Sequence, residues 1–165
     1  MASRVGLGYD AHRFASGRRL VLCGVEIPHE VGLAGHSDAD VAAHAVMDAL
    51  LGAAGLGDIG ELYPDDDPRF ENASSIELLG EVRRRLHAAN WMVDSIDVVL
   101  VLERPHLAPY RRVMRKSLAA VLELRVGAVS VKATTTEGMG FEGRGEGVSA
   151  LAVCLAHRTK DAAAD

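Results

Sequence analysis

The segment His36-Ser37-Asp38-Ala39-Asp40-Val41-Ala42-Ala43-His44 reads as the opening of a helix, and Asp10-Ala11-His12 as the end of a strand before it. Residues two apart on a strand share a face, so Asp10 and His12 point the same way. Residues four apart on a helix also share a face, which aligns Asp40 with His44. A strand laid beside the helix start brings Asp10, His12 and His44 around one point. Two imidazoles and a carboxylate suit Zn²⁺ with a fourth position open, the arrangement of a reactive rather than a structural site. His36 and Ser37 precede the helix, where unpaired backbone N–H groups and the dipole favour an anion. Each histidine taken singly reads equally well as a hydrogen-bonded core or surface residue; the grouping is what points to a metal beside an anion.

The rest of the chain sets bounds on this site. At 165 residues it has the length of one domain with a real core. Aromatics make up only 4%, so the core must be built from Ala, Val and Leu, which lets elements approach closely. A net charge of −5 argues against nucleic acid as a partner. No apolar run is long enough to span a membrane and no signal pattern opens the sequence. Cys23 and Cys154 lie in apolar, strand-like runs and read as buried reduced thiols, which fits the cytoplasm.

In order, Arg4 to His12 reads as the first strand and Arg19 to Ile27 as a strand or hairpin broken at Gly24. The helix starts near Ser37 or Asp38, with Ser37 and Asp40 forming an imperfect capping box. From Val41 to Leu56 it is apolar on nearly every side, which hints at a subunit interface. Glycines from Gly55 to Gly60 end it. Glu61 to Pro68 is a polar loop, read either as a solvated turn or as a flap near the metal. Ser74-Ser75-Ile76-Glu77 is a capping box opening a second helix, with Ile76, Leu79, Val82 and Leu86 as its buried stripe and Arg83 to Arg85 as its solvated side. Val93 to Glu103 is a strand, and Arg104 to Pro109 a stiff turn. Pro109 suits the first turn of a third helix ending near Leu124. Its basic cluster, Arg111, Arg112, Arg115 and Lys116, reads as a solvated face as readily as a ligand site. Val129 to Ala133 alternates as a half-buried strand, and Val148 to Ala156 reads as a strand buried on both faces.

Lys132 to Gly147 is the second informative stretch. Thr134, Thr135 and Thr136, a run of glycines and Arg144 suit close contact with phosphate oxygens. Glu137 suits a hard cation such as Mg²⁺ shared with those oxygens. An empty glycine-rich hairpin is the plain alternative. The stretch is not a P-loop, because the required Gly-Lys-Ser/Thr is absent.

Asp10-x-His12, the His36–His44 segment, Leu51 to Gly60, and Lys132 to Gly147 together resemble the 2-C-methyl-D-erythritol 2,4-cyclodiphosphate synthase family of the non-mevalonate isoprenoid route. The likeness runs from about Arg4 to Ala156 with four motifs in order. It implies an α+β single domain over 1–158 with a flexible tail over 159–165. About four main strands and a small hairpin would pack with helices, and three such chains would form a homotrimer with active sites between subunits. It implies that Asp10, His12 and His44 hold zinc and that Glu137 holds a second divalent ion, Mg²⁺ or Mn²⁺. His36 and Thr135 would stabilise the transition state, with Asp58 as a third catalytic position. Ser37, Asp58, Ile59 and Gly60 would contact substrate, with Tyr63, Pro64, Asp65, Asp66 and Asp67 as the flap. Leu102, Arg104, Pro105, His106, Leu107 and Ala108 would form the cytosine pocket, joined by Ala133, Thr134, Thr135 and Thr136. Phe141 and Arg144 would stand near the trimer axis, where a prenyl diphosphate could sit. Many relatives carry Lys where this chain has His106, which weakens a phosphate contact there.

The implied reaction is intramolecular. The 2-phosphate of 4-diphosphocytidyl-2-C-methyl-D-erythritol attacks the β-phosphorus, closes an eight-membered ring and expels CMP. No protein nucleophile is needed, and the sequence offers no Ser/His or Cys/His pair. Two other classes compete: a zinc-dependent phosphohydrolase, and a non-enzymatic isoprenoid-binding trimer.

Overall fold

The computed structural model describes residues 2–64 and 66–159. In chain order the elements are β1 (Ser3–Ala15), the hairpin β2 (Leu20–Leu22) and β3 (Val25–Ile27), a short β4 (Gly32–Leu33), α1 (Val41–Ala54) and α2 (Ile59–Leu62). They continue as α3 (Ser75–Ala88), β5 (Trp91–Val101), α4 (Arg111–Leu122), β6 (Val129–Thr134), α5 (Gly140–Gly143) and β7 (Gly147–Arg158). One sheet runs β4-β1-β7-β5-β6, and β2 and β3 form their own two-stranded sheet. Only β5 and β6 pair in parallel. This is the α+β architecture expected, with four long strands and a short fifth. The tail expected from 159 begins with Thr159, whose N–H donates to the Asn90 carbonyl at 2.9 Å; residues 160–165 lie outside the described residues.

The fold turns on how closely α1 lies along β1. The even-numbered residues of β1, Gly6 and Gly8 and then Asp10 and His12, face inward, while Val5, Leu7 and Tyr9 face out. A Cβ at Gly6 would overlap the Ala49 carbonyl of α1, and one at Gly8 the Ala45 carbonyl. Glycine is therefore required at both positions for steric reasons, and Ala45, Ala49 and Ala53 meet it from the helix side. Every residue of α1 is buried except His44, Asp48 and Gly52, which are spaced four apart and form its one open edge. The apolar Val41–Ala54 run is thus consumed within the chain, against β1, β7 and α3, and is not the exposed interface the sequence hinted at.

The exposed apolar surface is on the opposite side of the sheet. Val5, Leu7 and Tyr9 of β1 pair across the ladder with Leu155, Val153 and Leu151 of β7. All six are 38–68% exposed. The expectation that β7 is buried on both faces is therefore corrected: its even-numbered side chains from Ala150 to Ala156 are buried and the alternate ones are not. A continuous apolar run gives no period-2 signal by which to tell the two cases apart.

Three local readings also change. Helix α1 starts at Val41 rather than Ser37 or Asp38, because Ala39 adopts φ +58° and breaks the helical path. Asp40 is the N-cap itself, with its carboxylate accepting the Ala43 N–H at 3.1 Å. That carboxylate also accepts from Cys23 and Gly24, the two left-handed residues of the β2–β3 turn, so Cys23 is a turn residue and not a strand residue. The Ser74–Glu77 capping box does not form: Ser74 makes no side-chain cap bond, and Asp38 accepts the Ser75 N–H instead at 3.0 Å. Finally, Lys132 to Gly147 is not a hairpin, since β5 lies between β6 and β7 and a helical turn, α5, sits in the glycine-rich connection. Both cysteines are buried and unpaired, as expected.

The close α1–β1 approach makes Gly8→Ala a sharp test. The added methyl must push α1 off the sheet, at a cost of about 2–3 kcal/mol of stability from overpacking. Denaturant unfolding should show it as a lowered midpoint, with weakened metal binding because His44 moves with the helix.

Candidate functional site

Where α1 crosses β1, the triad forms. Asp10 Oδ2 lies 2.9 Å from both His12 Nε2 and His44 Nδ1, and the two ring nitrogens are 3.2 Å apart. Among the described residues, these three form the group of side chains placed to share a metal ion. The edges of a tetrahedral zinc site with bonds near 2.05 Å are about 3.3 Å, so three donors at this spacing nearly frame one face of it. The chemistry of the donors agrees. His12 Nδ1 lies 2.6 Å from the Ala34 carbonyl, which only accepts, so Nδ1 carries the proton and Nε2 faces the triad. Three electron-rich atoms gathered this tightly fit a divalent cation.

A cavity of about 440 Å³ opens beside the triad. It joins Asp10, His12 and His44 to His36, Ser37, Ile59, Gly60, Tyr63 and Pro64 of the expected substrate set. His36 Nε2 donates to the Asp67 carbonyl at 2.8 Å, which ties the flap to the residue preceding Ser37. Burial, then the nearby Glu81, pushes the Tyr63 phenol up to about 12, so it stays a neutral donor toward the Leu78 carbonyl. Asp58 caps α2 by accepting the Glu61 N–H at 2.9 Å and is not part of the cavity wall. Asp67 spends its carboxylate on Arg69, Asp66 is exposed, and Asp65 lies outside the described residues.

A second cavity of about 270 Å³ gathers Leu102, Pro105, His106, Leu107, Ala108, Ala133, Thr134 and Thr135. Arg104 stands outside its wall and donates to His106 Nε2 at 2.7 Å. Since a guanidinium only donates, His106 acts here as an acceptor that orients Arg104. Glu137 sits at φ +55° and accepts the Thr135 hydroxyl at 3.0 Å. Arg144 pairs with Glu146, and neither Thr136, Phe141 nor Arg144 lines this cavity. The two cavities share no lining residue, so within one chain the triad and the Thr135–Glu137 turn belong to separate sites.

Four residues with a part in these sites were not singled out from sequence. Asp48, one turn beyond His44, accepts the Ile59 N–H at 2.9 Å and so fixes the Asp58–Gly60 turn. Burial, followed by the charges of Asp58 and Asp10, raises its carboxyl above the ordinary value despite that bond. Its spacing from His44 was the available signal. Ser75 touches His44 but read only as part of a helix cap. Glu103 accepts from the Thr136 and Gly138 N–H groups and anchors the glycine-rich turn. Arg111, in the basic cluster that reads as a solvated face as readily as a ligand site, lines the second cavity.

The sequence profile of the YgbB family matches residues 3–157. The chain belongs to that family. A relative from Rubrobacter xylanophilus, named 2-C-methyl-D-erythritol 2,4-cyclodiphosphate synthase, is 57% identical over 158 residues, covering 94% of this chain and 95% of its own. Among solved structures, the bifunctional IspDF from Campylobacter jejuni superposes with a TM-score of 0.93 at 42% identity; 96% of this chain is covered, but only 43% of that one. A CDP-bound 2C-methyl-D-erythritol-2,4-cyclodiphosphate synthase matches with a TM-score of 0.85 at 42% identity, over 93% of this chain and all of its own. No helix among the described residues is long and apolar enough to cross a membrane.

The triad geometry predicts that His44→Ala, which leaves two ligands, loses most of the affinity for a divalent metal. Calorimetric titration of the metal-free variant with zinc checks this, and an undiminished one-per-chain stoichiometry would contradict it.

Proposed function

We propose that this protein is a 2-C-methyl-D-erythritol 2,4-cyclodiphosphate synthase, converting 4-diphosphocytidyl-2-C-methyl-D-erythritol 2-phosphate to the 2,4-cyclodiphosphate and CMP. The observation that carries the reading is the Asp10–His12–His44 triad at the edge of a cavity walled by His36, Ser37 and Gly60, in a chain whose relatives bear that name. In this reading Asp10, His12 and His44 hold zinc, and Glu137 holds a second divalent ion, Mg²⁺ or Mn²⁺. The bound cations supply Lewis acidity and charge neutralisation, easing the approach of one phosphate to another. The chain's own residues bend the substrate and hold it. Its methylerythritol phosphate end lies in the first cavity, under Tyr63 and Pro64, near Asp58 and Gly60. Its cytidine end lies in the second, against Leu102 to Ala108 and Ala133 to Thr136. An oxygen of the 2-phosphate forms the new bond to the β-phosphorus as the bond to the α-phosphate oxygen breaks, and CMP leaves with that electron pair. His36 and Thr135 exchange their bonds to the Asp67 carbonyl and the Glu137 carboxylate for the phosphoryl oxygens whose charge grows, and donate to them.

Separate cavities in one chain support a site completed by a neighbour, and the Val5/Leu7/Tyr9–Leu151/Val153/Leu155 face supports the surface by which three chains associate. Phe141 and Arg144 then approach the trimer axis, where an apolar channel would accept a prenyl diphosphate. The pathway and the two unpaired thiols support a cytoplasmic enzyme.

Phosphorus NMR of the product, with CMP measured in parallel, tests the reaction: CMP and a cyclic diphosphate in equal amounts are expected. Free phosphate or a linear diphosphate would mean a phosphohydrolase, and binding without CMP release would mean a binding protein. His106→Lys adds a cation beside Arg104 and should tighten CMP at low salt, with the gain shrinking as salt rises. Unchanged affinity would show that position 106 does not face the nucleotide phosphate. The shared site has its own test. His44→Ala and Glu137→Ala trimers should each be nearly inactive, yet co-refolded in equal amounts they should regain about a quarter of full activity, the share of interfaces joining two intact halves under closed cyclic symmetry. No recovery in mixed trimers verified by native mass spectrometry would place both halves in one chain.

A further inference from the structure

The first residue of α3 is tied to the metal triad. Ser75 is fully buried, and its Oγ lies 2.9 Å from His44 Nε2. The same hydroxyl donates to Asp38 Oδ1, while the Ser75 backbone N–H donates to Asp38 Oδ2 at 3.0 Å. A carboxylate only accepts, so the single hydroxyl proton of Ser75 is committed to Asp38. His44 Nε2 must then be the donor in the His44–Ser75 bond. Ser37 Oγ, 3.2 Å from the same nitrogen and 3.3 Å from Ser75 Oγ, takes the Ala39 N–H and offers a weaker second acceptor. With the proton held on Nε2, the other ring nitrogen, Nδ1, is the one turned to Asp10 and His12.

We propose that Asp38 and Ser75 are positioning residues for the metal: they hold His44 in the tautomer and ring orientation that present the Nδ1 lone pair to the ion. The Asp38 side chain hydrogen-bonds to no atom of the triad and reaches it through Ser75; its Oδ1 also accepts the Asp40 N–H at 3.2 Å. The same carboxylate caps α3, so the helix start and the metal ligand are set by one group. A partner on the far nitrogen of a ligating histidine fixes its tautomer and raises its basicity, which commonly changes metal affinity about 10–100-fold. The inference rests on the metal reading above.

Asp38→Asn separates positioning from folding. The asparagine carbonyl keeps accepting the Ser75 N–H, so the cap on α3 survives, but its amide donates to Ser75 Oγ. The hydroxyl proton is then free to turn toward His44 Nε2, which drives the imidazole proton onto Nδ1 and blocks the metal position. In full-length protein, zinc affinity measured by chelator competition should fall about 10–100-fold. Melting of the metal-free protein should fall only by the loss of the Asp40 N–H bond to Oδ1, a loss that Ser75→Ala does not share. Nitrogen NMR of the metal-free chains should report the His44 proton on Nε2 in the parent and on Nδ1 in the variant. Ser75→Ala should weaken zinc binding less, since Ser37 remains as an acceptor, and adding Asp38→Asn to it should cost nothing more, because the relay is already cut. Zinc affinity of Asp38→Asn within twofold of the parent, or an equal Asp38→Asn effect with and without Ser75, would overturn the proposal while leaving the metal reading intact. Should Asp38→Asn not fold, unchanged affinity and tautomer in Ser75→Ala would overturn it alone. A parent chain that binds no zinc would remove the metal reading and this proposal with it.

Discussion

Helix α1 lies against strand β1 at a separation that only glycine allows. Gly6 and Gly8 give up their side chains so that the carbonyls of Ala49 and Ala45 can rest on the strand, and two residues further along the same face the strand presents Asp10 and His12. Because a strand alternates with period two, the face of β1 that packs against α1 is also the face that presents Asp10 and His12. His44, Asp48 and Gly52 are the one edge of α1 left open, and His44 on that edge lines the cavity. Packing and function therefore depend on a single approach.

Three aspartates within a short span divide the polar work around that approach. Asp40 is fully buried, and its carboxylate accepts the Cys23, Gly24 and Ala43 N–H groups, binding the β2–β3 turn to the start of α1. Burial, which disfavours the charged form, raises its carboxyl above the ordinary value even against those three donors. Asp38 turns the other way, to the start of α3. Asp10 enters the triad. Asp40 and Asp38 have donors on both oxygens, as buried polar groups must.

The sheet has two faces with different fates. One is covered by α1 and carries the core; the other displays three cross-strand apolar pairs between β1 and β7. The same strand thus turns the triad residues Asp10 and His12 inward and an apolar surface outward. The Arg104–His106 pair beside the second cavity makes a comparable division of labour: the imidazole accepts and the guanidinium carries the charge toward solvent.

The sequence by itself determined a good deal. Periodicity placed Asp10, His12 and His44 on matching faces, four motifs marked the family, and alternation gave the main strands. These are local properties, or they depend on two short segments meeting once, which residue spacing encodes. Other features were decided only by the tertiary structure. Sequence could not show that Asp38, rather than Ser74, caps α3, because the donor and acceptor lie 37 residues apart. Nor could it show that α1 is covered while the outer faces of β1 and β7 are bare, since an all-round apolar helix and a continuous apolar strand look alike until their neighbours are in place. The left-handed Ala39 likewise carries no glycine signal, and Gly24 marks the break in the hairpin without showing that Cys23 is left-handed as well. The Cys23 turn is held by Asp40, a carboxylate from elsewhere in the chain, and such long-range hydrogen bonds leave no period in the sequence.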